Sequence, residues 1–126
     1  ATARSHRELR VYQLAFNSAT RIHEITKSFP PEEKHALLTK SGALTFGLRE
    51  HFRSLAQEKI SEKLRQQTNR LGYEATETIV WLDFALHFNY ITPEVHKELE
   101  DHYDHINSQL TIMMSDPGKW TPRSND

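Results

Sequence analysis

Eight histidines among 17 carboxylates in 126 residues raise metal and acid/base chemistry as the first questions. Dinuclear helical centres take Glu-x-x-His from each of two helices and single glutamates from the others. That spacing occurs only from Glu32 to His35, and one copy builds no such site. His102 and His105 are three residues apart, with Glu98 and Asp101 each four residues ahead of one of them. Four such side chains on one helix surface can in principle hold zinc. A polar helix face with His102 near the core edge is the far commoner cause of such a pattern, and no metal or cofactor is assigned. Asp83 and His87 stand at i,i+4 and can pair, but an acid/base couple also needs a nucleophile and a pocket. No serine elbow or phosphate loop is visible, so the expectation is a protein without enzymatic activity.

A second set concerns charge. Arg49 and Arg53 lie one helical turn apart, and Lys59, Lys63 and Arg70 continue the positive run. These five are the candidate nucleic-acid-binding residues, because phosphate neutralisation by Lys and Arg dominates such binding. Glu50, Glu58 and Glu62 interrupt them. The chain is close to neutral, with 16 basic and 17 acidic residues, yet residues 1–73 carry a net +6 and residues 74–126 a net −7. That asymmetry suits either a basic face for RNA or DNA, or attraction between the halves within or between chains.

These residues must be positioned by helices, because apolar residues recur every three or four places and only 4 glycines and 5 prolines occur. The first helix is expected over about Ser5–Lys27, with Val11, Ala15, Ser18, Ile22 and Ile25 as its stripe, Leu9, Tyr12, Phe16 and Ala19 widening it, and Phe29 closing it. Pro31, with Glu32 and Glu33 behind it, opens a second helix to about Gln57. Its stripe is Leu37, Ser41, Leu44, Leu48, Phe52 and Leu55. Gly42 and Gly47 lie inside it at about 1 kcal/mol each relative to alanine, which implies a close backbone approach or a local break. The third helix starts near Ser61 and ends at Asn89-Tyr90-Ile91. Thr92 and Pro93 then cap and open a fourth, running to about Met114 with Val95, Leu99, His102, Ile106, Leu110 and Met113 inward.

The third helix organises the rest. Ala75, Ile79, Leu82 and Leu86 share one face, while Trp81, Phe84 and Phe88 cluster on roughly the opposite one, with Glu77 on their side. A helix apolar nearly all round is normally enclosed by other protein. Glu77, Trp81, Phe84 and Phe88 are therefore the candidate oligomer interface, with a second copy of the chain as partner. The fold class is all-α, an antiparallel up-down-up-down four-helix bundle over residues 1–115, followed by a Pro- and Ser-containing tail, 116–126, expected to be mobile apart from an anchor at Trp120. Absence of cysteine excludes disulfides and thiol chemistry. Neither a signal peptide nor an apolar run of about 18 residues is present, so a cytoplasmic protein with no membrane association is expected.

The ordered set Leu9-Arg10-Val11-Tyr12-Gln13-Leu14-Ala15, Thr26-Lys27-Ser28-Phe29-Pro30 with Glu33, Glu77 eight residues before Ala85, and Leu86-His87-Phe88-Asn89-Tyr90-Ile91 resembles the four-helix bundle proteins encoded in intervening sequences of bacterial large-subunit ribosomal RNA genes. The likeness covers about Leu9–Met113. It implies a ring-like homopentamer with no established enzymatic activity, around which the five basic residues would repeat as a belt. A distantly similar branch, the accessory proteins of diversity-generating retroelements, binds nucleic acid. The second helix departs from the family. Gly42-Ala43-Leu44-Thr45 and Arg49-Glu50-His51-Phe52-Arg53 stand where most members carry Arg-Arg-Ala-Ala and Asn-Ile-Ala-Glu-Gly, so roles of those absent side chains do not transfer.

Overall fold

A computed structural model describes residues 5–55 and 62–115 of the chain. Four helices carry it: α1 (Arg10–Ile25), α2 (Pro31–Leu55), α3 (Glu62–His87) and α4 (Pro93–Ser115). Each packs on its neighbours in sequence, and α1 closes on α4. Cross-helix partners run in opposite senses along α1–α4, α2–α3 and α3–α4, which also sets α1 antiparallel to α2. Ser18 and Arg21 of α1 meet His102 and Glu98 of α4, Lys40 and His51 of α2 meet Glu77 and Thr68 of α3, and Thr76 and Asp83 of α3 meet Asn107 and His96 of α4. That pattern is the up-down-up-down bundle.

The expected stripes form the core. Val11, Ala15 and Ile22 of α1, Leu37, Leu44, Leu48 and Phe52 of α2, Leu64, Leu71, Ala75 and Leu82 of α3, and Leu99, Ile106, Leu110 and Met113 of α4 are all buried. Two positions exchange roles on α3. Thr78 and Ala85 reach the centre of the core, whereas Ile79 and Leu86 pack at its edge. Tyr103 is fully enclosed, one place beyond the expected His102, because the inward row of α4 runs 99, 103, 106, 110 at alternating four- and three-residue steps.

The first helix is not continuous over Ser5–Lys27. A one-turn 3-10 helix, His6–Glu8, precedes it, and Leu9 is extended (φ −71°, ψ 124°). Burial of the Leu9 side chain accounts for that bend, since an extended residue there turns its isobutyl group into the core. The Gln13 amide, donating to the Arg7 carbonyl at 2.8 Å, ties the turn down. At the other end Thr26 donates its buried hydroxyl to the Ile22 carbonyl at 2.7 Å, and a second 3-10 turn, Thr26–Ser28, leads to buried Phe29. Phe16, expected to widen the core stripe, is half-exposed instead.

Helix α2 passes through both glycines without a break. Helix α3 stops at His87, two residues short of the expected Asn89. Asn89 adopts φ 63°, and the Tyr90 N–H donates to the Ala85 carbonyl at 2.8 Å while the Asn89 N–H donates to Leu86 at 3.0 Å. These two bonds and the left-handed residue between them make a Schellman cap. Thr92 then caps α4 as its position demands, its hydroxyl accepting from the Val95 N–H at 3.2 Å. The expected end of the second helix at Gln57, the start of the third at Ser61, Lys59 and the tail 116–126 with Trp120 lie outside the described residues. Among the described residues no helix is long and apolar enough to cross a membrane.

Candidate functional site

His102, Glu98, Asp101 and Asp83 are each drawn into a structural pair. His102 Nδ1 lies 3.2 Å from the Ser18 hydroxyl, Glu98 pairs with Arg21 at 3.2 Å, and Asp101 with Lys97 at 3.3 Å. Asp83 pairs with His96 across the α3–α4 corner at 2.7 Å rather than with His87, whose ring sits edge-on to Phe88. Helix geometry permits the i,i+4 contact, but the Asp83 carboxylate meets a nitrogen of His96 on the adjoining helix. Among the described residues no group of three or more His, Asp or Glu side chains converges as a metal site.

Among the described residues, the buried His51 Nδ1, Glu74 Oε2 and Tyr103 hydroxyl lack hydrogen-bond partners. Burial lowers the His51 pKa below its ordinary 6.5, with the Gln67 side chain pulling the other way. Burial likewise raises the Glu74 carboxyl above 4.5, opposed by Arg70 and Lys40 and reinforced by Glu77, and raises the Tyr103 hydroxyl. His51 and Tyr103 are core groups whose remaining contacts are intramolecular, and none of the three opens into the groove described below.

Of the candidate nucleic-acid residues, Arg49 and Arg53 share one carboxylate, Glu50, at 3.0 and 3.8 Å. Arg7 from the 3-10 turn joins them: desolvation depresses the His6 pKa, and the charges of Arg7, Arg49 and Arg53 depress it further. The basic cluster at this end of the bundle therefore includes Arg7 and His6, which the sequence pattern did not single out, because the bend at Leu9 brings them there. Lys63 is exposed at the start of α3. Arg70 pairs with Glu74 on its own helix at 3.8 Å and is not among the charges acting on His6. Lys59 lies outside the described residues.

The four candidate interface residues divide. Trp81 packs partly against the core of its own chain, with its ring centre 5.6 Å from that of Phe84. Glu77 is half-exposed and pairs with Lys40 of α2, which supplies the donor its carboxylate requires. Phe84 and Phe88 remain 48% and 51% exposed. With Tyr73 and Val80, also exposed, they form a stripe at helical spacing along the outside of α3. This is an apolar face that its own chain leaves uncovered, with a shallow recess lined by Val80, Asp83, Phe84, His87 and Phe88.

A second apolar face lies on another side. Between α1 and α2 runs an open groove of about 310 Å³, walled by Tyr12 and Phe16 on one side and Leu38 and Phe46 on the other, with Gly42 among its lining residues, and His23 and Arg49 as its charged or titratable members. Phe46 is 74% exposed and Phe16 49%. The two glycines of α2 now separate. A Cβ on Gly47 would collide with Leu71 Cδ2, so the space there is taken by a side chain of α3 rather than by the close backbone approach expected from sequence. A Cβ on Gly42 would meet nothing within 4 Å. The signal that could have disclosed this groove is Phe46 itself, an aromatic residue off the Leu44–Leu48 stripe and one helical turn from Gly42.

No family model matches the chain, and no curated protein matches it. A solved structure does match. The crystal structure of a protein of unknown function from the S23 ribosomal protein family of Bacteroides thetaiotaomicron is similar to this chain, with a TM-score of 0.68 and 19% sequence identity, over 82% of this chain and 97% of that one. The two proteins share a fold. The S23 family is that of the 23S ribosomal RNA intervening-sequence proteins, so the resemblance carried by Leu9–Ala15, Thr26–Pro30 and Leu86–Ile91 is matched by a four-helix architecture of that family.

Proposed function

We propose that the chain is a cytoplasmic, non-enzymatic scaffold or adaptor that works as a homo-oligomer, five copies in a ring. The observation that carries this reading is the stripe Tyr73, Val80, Phe84 and Phe88 on the outside of α3, left in water by its own bundle. Monomers rarely expose contiguous apolar surface of this kind without an interaction to match it. The number five is taken from the family resemblance. Light scattering and native mass spectrometry on the full chain test the proposal, with a mass five times 14.7 kDa expected. A well-folded single chain at tens of micromolar would end it.

A second reading, a nucleic-acid-binding accessory role, is favoured by the gathering of Arg7, Arg49 and Arg53 around His6 at one end of the bundle. Counterion release makes such binding strongly salt-dependent. Gel shifts with structured RNA and duplex DNA should weaken steeply as salt rises, and Arg49→Glu with Arg53→Glu should abolish them. Absence of any shift at low salt would remove this reading.

A further inference from the structure

We infer that the groove between α1 and α2 binds a free amphiphile with one acidic headgroup, a medium-chain monocarboxylate, its chain lying along the groove and its carboxylate at the Arg49 end. The inference does not depend on the homo-oligomer reading, which draws on the α3 face.

The polar groups of the groove are already committed. Three of its lining residues, Thr20, Ser41 and Thr45, carry aliphatic hydroxyls. Each donates to a carbonyl of its own helix: Thr20 to Asn17 at 2.8 Å, Ser41 to Leu37 at 2.7 Å and Thr45 to Ser41 at 2.7 Å. The walls are otherwise Tyr12, Phe16, Leu38 and Phe46. A nucleobase laid here would bring polar edges to hydroxyl protons that are spent, at a cost in desolvation. A hydrocarbon chain brings none.

Charge then sets the direction. Among the described residues that line the groove none is Asp or Glu, and Arg49 is a cation. The Thr45 hydroxyl also lies 3.5 Å from the Ala15 carbonyl, a register that puts Arg49 beside Tyr12 at one end and Leu38 beside His23 at the other. Tyr12 meets His6 edge to face, with ring centres 4.8 Å apart, so the Arg49 end opens onto the cluster of Arg7, Arg49 and Arg53. Even with Glu8 of the 3-10 turn counted beside Glu50, three guanidinium groups leave this end cationic. Arg49 gives Nη1 to Glu50 at 3.0 Å and keeps further N–H donors for a ligand carboxylate.

Size and shape agree. The groove, about 310 Å³, falls within the roughly 300–1,000 Å³ of small-molecule sites. The eleven residues from Tyr12 to His23 rise about 16 Å. Spread over that length, the volume leaves a narrow section, which suits an unbranched chain. Gly42 lies midway along it. Glycine is unfavourable inside a helix, and nothing in its own chain approaches within 4 Å the space its missing side chain leaves. A larger residue there would block the path of the ligand's chain.

Equilibrium dialysis of the full chain against radiolabelled decanoate, kept below its micelle concentration, tests the inference. One decanoate per chain is expected, with decanol, which lacks the charge, held about tenfold more weakly. Arg49→Gln should weaken decanoate by a similar factor and leave decanol unchanged, a split that general loss of structure would not produce. Gly42→Leu should abolish uptake of both with the helical circular dichroism retained, and Phe84→Glu on the α3 face should alter neither. Should Gly42→Leu misfold, Phe46→Ser at the exposed wall replaces it and should weaken both ligands. Equal affinity for decanoate and decanol, or uptake that Gly42→Leu and Phe46→Ser leave intact, would overturn the inference. So would a chain that takes up no decanoate; a lower assembly mass for Gly42→Leu would then make the groove a contact between copies.

Discussion

Replacing each helical glycine of α2 by alanine should move stability in opposite directions, and the difference can be worked from the structure. Alanine is about 1 kcal/mol better than glycine inside a helix, and Gly42→Ala should realise that gain, since its new methyl group meets no other atom within 4 Å. Gly47→Ala begins with the same gain. Its methyl group, however, would sit 2.3 Å from Leu71 Cδ2, and Leu71 is 2% exposed, so it has no route to solvent and must displace its neighbours. Overfilling a packed core by one methyl-sized group costs about 1–3 kcal/mol. The two variants should therefore differ by that amount, with Gly47→Ala the less stable and about 0–2 kcal/mol below the parent. For a chain of this size the separation in melting temperature is roughly 6–10 °C at the middle of that range. Thermal and urea denaturation followed by circular dichroism reads it, carried out in a Phe84→Glu background so that mass action through assembly adds nothing. A Gly47→Ala chain that melts at or above Gly42→Ala would refute the packing argument, and would mean that α2 and α3 can separate at this level without loss.

Other expectations follow from the buried polar groups and the caps. Tyr103→Phe should be neutral or stabilising by up to about 1 kcal/mol, because it removes a buried hydroxyl without a partner; a loss above that in urea denaturation would reveal a partner for the oxygen. His51 has a folded pKa below 6.5, so the unfolded chain binds more protons in the window between the folded value and 6.5. Stability should fall as the pH drops through that window, by at most about 1.4 kcal/mol per pH unit, and His51→Leu should show a correspondingly flatter profile. Glu74 acts with the opposite sign: its raised folded pKa makes its contribution greatest below 4.5 and diminishing as the pH rises through the folded value, which Glu74→Gln should remove. Thr92→Ala should cost about 1 kcal/mol through loss of the bond to the Val95 N–H, and an unchanged urea midpoint would show that the cap contributes nothing.

The bundle was legible because its determinants are local and periodic. Leu37, Leu44 and Leu48 on α2 and Leu99, Ile106 and Leu110 on α4 state their faces directly, and Thr92-Pro93 states where α4 starts. Departures occur where a tertiary contact overrides the period. Leu9 leaves the helix to bury its side chain, and Tyr103 is taken inward despite its hydroxyl. The outside of α3 was half legible. Phe84 and Phe88 stand as uncovered rings, but Trp81 finds cover within its own chain, a difference of orientation between neighbouring positions that an apolar pattern does not resolve. The groove was hidden for another reason. It is formed by residues about 20–30 positions apart on two helices, and only their approach turns Phe16, Gly42 and Phe46 into a single surface. The basic cluster is similar, since Arg7 joins Arg49 and Arg53 through a bend rather than through spacing.

The turn between α3 and α4 has a bearing on how the chain reaches its folded form. Its left-handed asparagine, its two backbone bonds to Ala85 and Leu86 and its threonine cap are all made within a dozen residues, and the Asp83 to His96 pair spans the same corner. Closing so short a segment sacrifices little chain entropy compared with joining α1 to α4. The carboxyl-terminal hairpin is thus closed by contacts made within its own sequence neighbourhood, at small cost in chain entropy.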